Sequence, residues 1–402
     1  MKIKLSILIS VLVVSCAESG SPDFRPRDGE VNPSIIHVEF DEESAVSIDS
    51  LFTNPQFIRL ETNEEVLIAS YNKILLYDEL IFILSNSFDQ QAIFIFDTDG
   101  NFQLKIDERG RGPGEYEEIN DFYIDTESRE VGVLTFSRII KYNFQGEYTG
   151  ETIDLFEHRV LRIQYWNDKL YAYALALEEG GWRNDRTMSF AAFNNNGTLL
   201  YKDIPVSNSV LMYNLRKENY LTGSEDAVYF NHFASDTIYR ATDTHLFPEF
   251  VLDYGPHTLP ANVKEQFLSE RFSSQVTDYF SRNDHVKFGP HSIYSTDRYL
   301  YLKVPIGHRL VSAIHSRDTG KTKVLQTITR RPERMSPSVK GSYGGRLVGV
   351  IDALQIHTAN NRDMSSGEPG PDSEFHYANI DGYERINRDD NSIIVIYEVK
   401  DF

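Results

Sequence analysis

The stretch Ala92-Ile93-Phe94-Ile95-Phe96-Asp97-Thr98-Asp99-Gly100-Asn101-Phe102-Gln103-Leu104-Lys105-Ile106 decides the fold. An apolar run stops at a polar Asp-Thr-Asp-Gly turn and a second apolar run returns, the pattern of a hairpin. The unit recurs at 138–153 with Gly146 at its turn, and at 190–204 with Gly197. Weaker copies occupy 236–252, with Thr242-Asp243 at the turn, and 310–328, with Gly320. Successive turns at 100, 146, 197, 243 and 320 are 46, 51, 46 and 77 residues apart. Such a period suits a four-stranded sheet and its connections.

Two further strands precede each turn. They read as 74–77 with 80–85, 121–124 with 130–135, 162–165 with 169–175, 220–222 with 227–231, and 292–295 with 299–304. A sixth unit can be assembled from 349–357 and 392–399. Closing six sheets radially protects edges that an open stack would expose. The expected fold is therefore all-β, a six-bladed β-propeller of four-stranded antiparallel blades; a β-helix has turns too short for this period. The longest interval holds one expected helix near residues 260–282. Pro260 stands in its first turn, and Val263, Phe267, Phe272, Val276, Tyr279 and Phe280 form its apolar stripe. Capping or bracing a blade is its expected role, with a lid over a ligand as the alternative.

Composition agrees with a sheet protein. Hydrophobic residues at 41% and charged residues at 25% of 402 exclude wholesale disorder and a polytopic membrane protein. The 25 Phe and 23 Tyr favour strands. A net charge of -20 makes nucleic acid an unsuitable partner, because phosphates are repelled.

Lys2 and Lys4 precede an apolar stretch from Leu5 to Val14, too short to span a bilayer but suited to a secretory signal. It ends in Val13-Val14-Ser15-Cys16, which resembles the bacterial lipobox, where cleavage leaves a lipid-bearing cysteine at the new terminus. Cys16 is the sole cysteine, so no disulfide can form within the chain. The expected organisation is a lipoprotein signal at 1–15, a flexible tether at 16–34 rich in Ser, Pro, Gly and charge, and one propeller domain at 35–402. The expected location is the cell envelope, at the outer membrane through lipidated Cys16, on either its periplasmic or its surface side. Glu18 is similar to an acidic surface-export signal.

Between the first two units lies Glu108-Arg109-Gly110-Arg111-Gly112-Pro113-Gly114-Glu115-Tyr116, which must bend sharply. This motif resembles the G-x-G-P-G-E-Y of six-bladed β-propeller lipoproteins of Bacteroidetes. Phe57-Ile58-Arg59-Leu60-Glu61-Thr62 looks like that family's opening strand, and Ser235-Asp236-Thr237-Ile238-Tyr239 also matches. Asn391-Ser392-Ile393-Ile394-Val395-Ile396-Tyr397 is similar to its closing strand, with Ser392 where a proline is usual. The resemblance spans nearly the whole mature chain and implies fold and location, not activity. Two readings of the motif stay open: the glycines bend the connection between blades, or Arg109, Arg111 and Glu115 line the axial mouth and bind an anionic or polyhydroxyl ligand.

No phosphate loop, dinucleotide fingerprint, HExxH helix, G-x-S-x-G elbow or CxxC pair occurs, so no cofactor and no catalytic set is identified. Ser316-Arg317-Asp318-Thr319-Gly320 begins like a sialidase Asp-box but has Lys323 where an aromatic belongs. His285 and His291, like His308 and His315, are poorly spaced for one strand face, and no metal site is expected. Trp166 reads as core. Trp182, in a charged glycine-bearing loop, is a candidate stacking surface for a sugar or a partner. Residues 362–375 read as an exposed loop.

Taken together, these residues favour a monomeric, lipid-anchored binding or scaffold module for glycan, peptide or protein ligands. The alternative is a glycan-active hydrolase or lyase at the axial mouth. Clustered acids around the channel would favour the enzyme, and mixed charge without such a cluster the binding module.

Overall fold

Each blade grows from short hairpins whose turns the sequence specifies locally. In a computed structural model, residues 32–402 are described except 41–44, 156–158, 176–185, 208–218, 225, 233–234, 270–273, 288, 308, 326–336 and 364–378. The first blade contains β3 (Lys73–Tyr77), β4 (Leu80–Asn86), β5 (Gln91–Asp97) and β6 (Phe102–Ile106) in that order. Asp78 and Glu79 take φ of 51° and 62° between Tyr77 and Leu80, the left-handed pair that a two-residue hairpin needs. Residues 81–84 and 92–96 are buried on both faces, because a neighbouring blade covers each side. That explains their unbroken apolar runs.

The second blade is β7 (Asp121–Asp125), β8 (Glu130–Leu134), β9 (Arg138–Asn143) and β10 (Tyr148–Asp154). The third is β11 (Arg159–Trp166), β12 (Lys169–Leu175), β13 (Arg186–Asn194) and β14 (Leu199–Ser207). The fourth is β15 (Leu221–Gly223), β16 (Val228–Phe230), β17 (Thr237–Ala241) and β18 (Leu246–Asp253), and the fifth β19 (Ser292–Ser295), β20 (Tyr299–Ile306), β21 (Arg309–Ser316) and β22 (Thr322–Val324). The sixth combines β23 (Ser338–Tyr343), β24 (Arg346–Ile351) and β25 (Ile393–Val399) with β2 (Phe52–Arg59) from the start of the body. Gln56 pairs with Ile396 and Arg59 with Ile393, so the two ends of the domain close one sheet.

The first strands of the blades, β3, β7, β11, β15, β19 and β23, neighbour one another in sequence, and β23 returns to β3. The ring is closed. At this seam, a Cβ on Gly341 would stand 2.5 Å from the Ile74 carbonyl oxygen, so only glycine allows the approach. Apolar clusters fill the wedges between blades; one joins Phe82 and Ile95 to Phe122 and Val133, and another joins Ile58 and Ile394 to Ile74 and Phe94. Residues 33–402 form one compact unit.

Three features depart from the sequence reading. First, β1 (Ser34–His37) pairs parallel with β18, from Ser34 opposite Phe250 to His37 opposite Asp253, and makes the fourth blade five-stranded. Val46 bridges Leu325 in the same sense beyond β22, so successive parts of the N-terminal segment protect the outer edges of blades four and five before β2 completes blade six. Second, the expected single helix consists of two described segments, α2 (Ala261–Ser269) and α3 (Ser274–Arg282), following the one-turn α1 (Ile48–Leu51). Third, the strand expected over 349–357 ends at Ile351 and α4 (Ala353–Asp363) follows. Asp352 caps it, its Oδ1 accepting from Leu354 N at 2.9 Å, and Ala353, Ile356 and Ala359 bury one stripe.

Candidate ligand-binding site

The inner strands carry apolar residues into the wedges and polar ones towards the axis, where a cavity of about 130 Å³ is lined by all six blades. Its charged lining residues are Lys73 on β3, Asp121 on β7, Arg162 on β11 and Lys340 on β23. Asn72, Gln164, Asn219, Thr222 and Ser342 add uncharged polar groups. Among the described residues, three cations therefore face one carboxylate, within a chain whose net charge is -20.

Lys73 and Asp121 satisfy each other. The Lys73 ammonium lies 3.2 Å from both carboxylate oxygens and also donates to the carbonyls of Phe122 at 2.8 Å and Ile163 at 3.0 Å. Asp121 Oδ2 accepts in turn from Ile163 N at 2.8 Å. With only 2% of the Asp121 side chain exposed, three blades are joined by this one cluster. Burial holds the Lys73 ammonium below the ordinary lysine range; Asp121 opposes that shift and Arg162 adds to it. Arg162 spends Nη1 on the carbonyls of Asn120 at 3.1 Å and Leu161 at 2.7 Å. Its guanidinium is thereby fixed across blades two and three.

The glycine-rich connection sits elsewhere. Tyr116 N donates to Glu108 O and Gly110 N to Tyr116 O, both at 2.9 Å, closing a loop between β6 and β7. Glu115 turns back into that loop and accepts from Gly112 N at 2.7 Å. Gly114 has φ of +76°, and a Cβ there would meet the Tyr148 ring at 2.5 Å, so β10 of the second blade leaves room for glycine alone. The Gly114 carbonyl accepts from the Tyr142 hydroxyl at 2.5 Å. Arg111 pairs with Glu117 at 2.6 Å in the open, with side chains 84% and 65% exposed. Arg109 is exposed. None of Arg109, Arg111 and Glu115 lines the axial cavity. Trp166 is half-buried beside Tyr171. Cys16, Trp182, His308 and residues 364–375 lie outside the described residues. Among the described residues, no group of three or more His, Cys, Asp or Glu is placed to hold a metal ion.

The axial residues went unmarked in the sequence because each looks like an ordinary strand-flanking charge. Their signal was positional: Lys73 and Asp121 open the inner strands of consecutive blades, and Arg162 enters the next. A charge repeated at the same place in successive units points to the axis.

Fold and axial site together define a closed six-bladed β-propeller with a polar, predominantly cationic channel. Residues 33–398 match the family described as a domain of unknown function, DUF4934, and the chain belongs to that family. Comparison with curated proteins gives no significant match. Among solved structures, the chain is similar to a protein of Bacteroides fragilis NCTC 9343 described as exported, at TM-score 0.72 and 15% identity over 92% of this chain and 100% of that one. It is also similar to a DUF4221 member from Bacteroides vulgatus ATCC 8482, at TM-score 0.47 and 11% identity over 88% and 98%.

Proposed function

We propose that this protein is a cell-envelope binding module that receives its ligand at the axial cavity, tethered to the outer membrane by lipid on Cys16. One observation carries the binding role: among the described residues, Asp121 is the single carboxylate lining the cavity and is committed to Lys73 and to Ile163 N. Glycoside hydrolysis ordinarily needs two carboxyl groups on either side of the scissile bond. Lys73 directs its ammonium hydrogens to Asp121 and two carbonyls, so it presents no free lone pair to act as the base of an elimination. A fixed set of polar groups with no paired acid suits recognition better than turnover. The similarity to an exported Bacteroides protein supports the envelope location.

Glycan and peptide arrays probed with the purified body from Ile35 onward test this reading. The expected result is retention of a restricted ligand class that is released by substitutions in the axial lining. Turnover of a retained glycan, or an array with no retained ligand, would remove the proposal.

A further inference from the structure

We infer that Phe88 and Phe136 are a stacking platform for a neutral glycan chain, on the face of the ring where the inner strands begin; the inference rests on the binding role proposed above and names its ligand class. In the first blade β4 runs to that face, turns through Ser87-Phe88-Asp89-Gln90 and returns as β5. In the second, β8 turns through Thr135-Phe136-Ser137 into β9. Each phenylalanine is the second residue beyond the second strand of its blade, so successive repeats place an aromatic at the same point. Lys73 and Asp121 of the axial cavity open β3 and β7 on this same face. The rings are displayed, not packed: Phe88 is 97% exposed and Phe136 50%. Their backbones are nonetheless fixed. Ser87 N donates to Gln90 O, and Gln90 Nε2 to Leu67 O, both at 2.8 Å. Asn86 Nδ2 donates to Ile119 O and Asn120 Nδ2 to Thr135 O, so residues 119 and 120 link the two turns.

The surroundings of each ring select the ligand. The Arg159 guanidinium lies 4.7 Å over the Phe136 ring, and among the described residues no hydrogen bond or ion pair engages it. Asp89, exposed beside Phe88, likewise has no partner for its carboxylate among the described residues. An apolar ring next to a planar ionic group matches a pyranose, which offers C–H groups on one face and vicinal hydroxyls at its edge. A protein partner needs a contiguous apolar patch, whereas Phe88 lies between Ser87 and Asp89 and Phe136 between Thr135 and Ser137. Nucleic-acid bases also stack on aromatics, but a net charge of -20 repels their phosphates and penalises an acidic glycan in the same way. Because the rings stand on different blades, a ligand that meets both is an extended oligosaccharide.

Calorimetric titration of the purified protein with maltohexaose, cellohexaose, xylohexaose and mannohexaose, each beside its monosaccharide, tests this. We expect at least one hexasaccharide to bind about tenfold more tightly than its monosaccharide. Phe88→Ala and Phe136→Ala should each weaken that hexasaccharide by about tenfold, while Phe88→Tyr and Phe136→Tyr retain it. Melting curves for all four variants separate binding from folding, and the fully exposed Phe88 should leave the midpoint unchanged on truncation. No binding of any hexasaccharide, equal affinity for hexasaccharide and monosaccharide, tighter binding of hexagalacturonate, or affinity that survives both alanine changes would overturn the inference. An array ligand released by axial-lining substitutions but by neither alanine change would overturn it too while leaving the binding module intact, whereas an empty array removes the module itself.

Discussion

The Lys73 ammonium stands 3.2 Å from each carboxylate oxygen of Asp121, binding the first strand of one blade to the first strand of the next at the axis. Removing one partner of such a buried pair leaves the other charge uncompensated, which typically costs about 3–5 kcal/mol. Lys73→Met and Asp121→Asn should each lower the urea midpoint strongly, and the double variant should lose much less than the two losses combined. Strictly additive, small losses would show that the pair does not hold the blades together.

The glycine connection should respond unequally to substitution. Gly114→Ala meets both a positive φ and the Tyr148 ring, so a loss above about 1 kcal/mol is expected. Gly112→Ala presses only on the end of the flexible Glu115 side chain, at 3.2 Å, and should cost less. Arg111→Ala should leave the melting temperature within about 1 °C, since an exposed pair contributes little. A stable Gly114→Ala protein would remove the structural account of this loop.

Closure of the last blade depends on Asn391 as well as on β25. Its buried amide donates to the carbonyls of Glu61 at 2.7 Å and Val66 at 2.8 Å, and its Oδ1 accepts from Ile68 N at 2.8 Å. Asn391→Ala should therefore destabilise by about 2–3 kcal/mol, the range for stranding buried partners. Deletion from Asn391 onward removes the strand between β2 and β24, and aggregation or loss of a cooperative melt should follow. An unchanged transition in the truncated chain would show that closure is dispensable.

His315 makes stability fall with acid. Burial, reinforced by the nearby Arg317 charge, lowers its pKa from an ordinary 6.5 to about 4. The unfolded chain takes up the proton first, so stability that is complete above pH 6.5 drains away as pH drops towards 4. On the order of 2 kcal/mol is at stake, and His315→Gln should flatten that part of the pH profile. Parallel profiles for the parent and the variant would exclude this histidine as the cause.

Anchoring is tested at Cys16. Cys16→Ser should move the protein to the soluble fraction, because a serine cannot carry the thioether-linked lipid. Membrane association that persists after high-salt washing would show another mode of attachment.

Much of the scaffold is written locally. An apolar run closed by Asp-Thr-Asp-Gly, by Asn143-Phe144-Gln145-Gly146 or by Asn194-Asn195-Asn196-Gly197 specifies a hairpin through contacts between near neighbours, and five such hairpins fall where the repeats place them. The sixth was less legible. After Ile351, the stripe of Ala353, Ile356 and Ala359 has helical spacing, yet it continues an apolar strand without a glycine or proline to mark the change. Only the Asp352 cap and the surface available for burial decide between helix and strand there.

The sequence by itself determined the hairpins and the turn positions, because each depends on residues within one repeat, and the spacing of those turns pointed to the number of blades. Tertiary structure alone decided what the axis contains. Lys73, Asp121, Arg162 and Lys340 belong to four different blades, and they meet because Arg59 pairs with Ile393 and Gly341 lets β23 approach β3. It also decided that β1 runs parallel along β18, an edge pairing between residues more than 200 positions apart that no local pattern encodes. Backbone hydrogen bonding and alternation act over a few residues, whereas a binding cavity on a propeller axis exists only once the ring has closed.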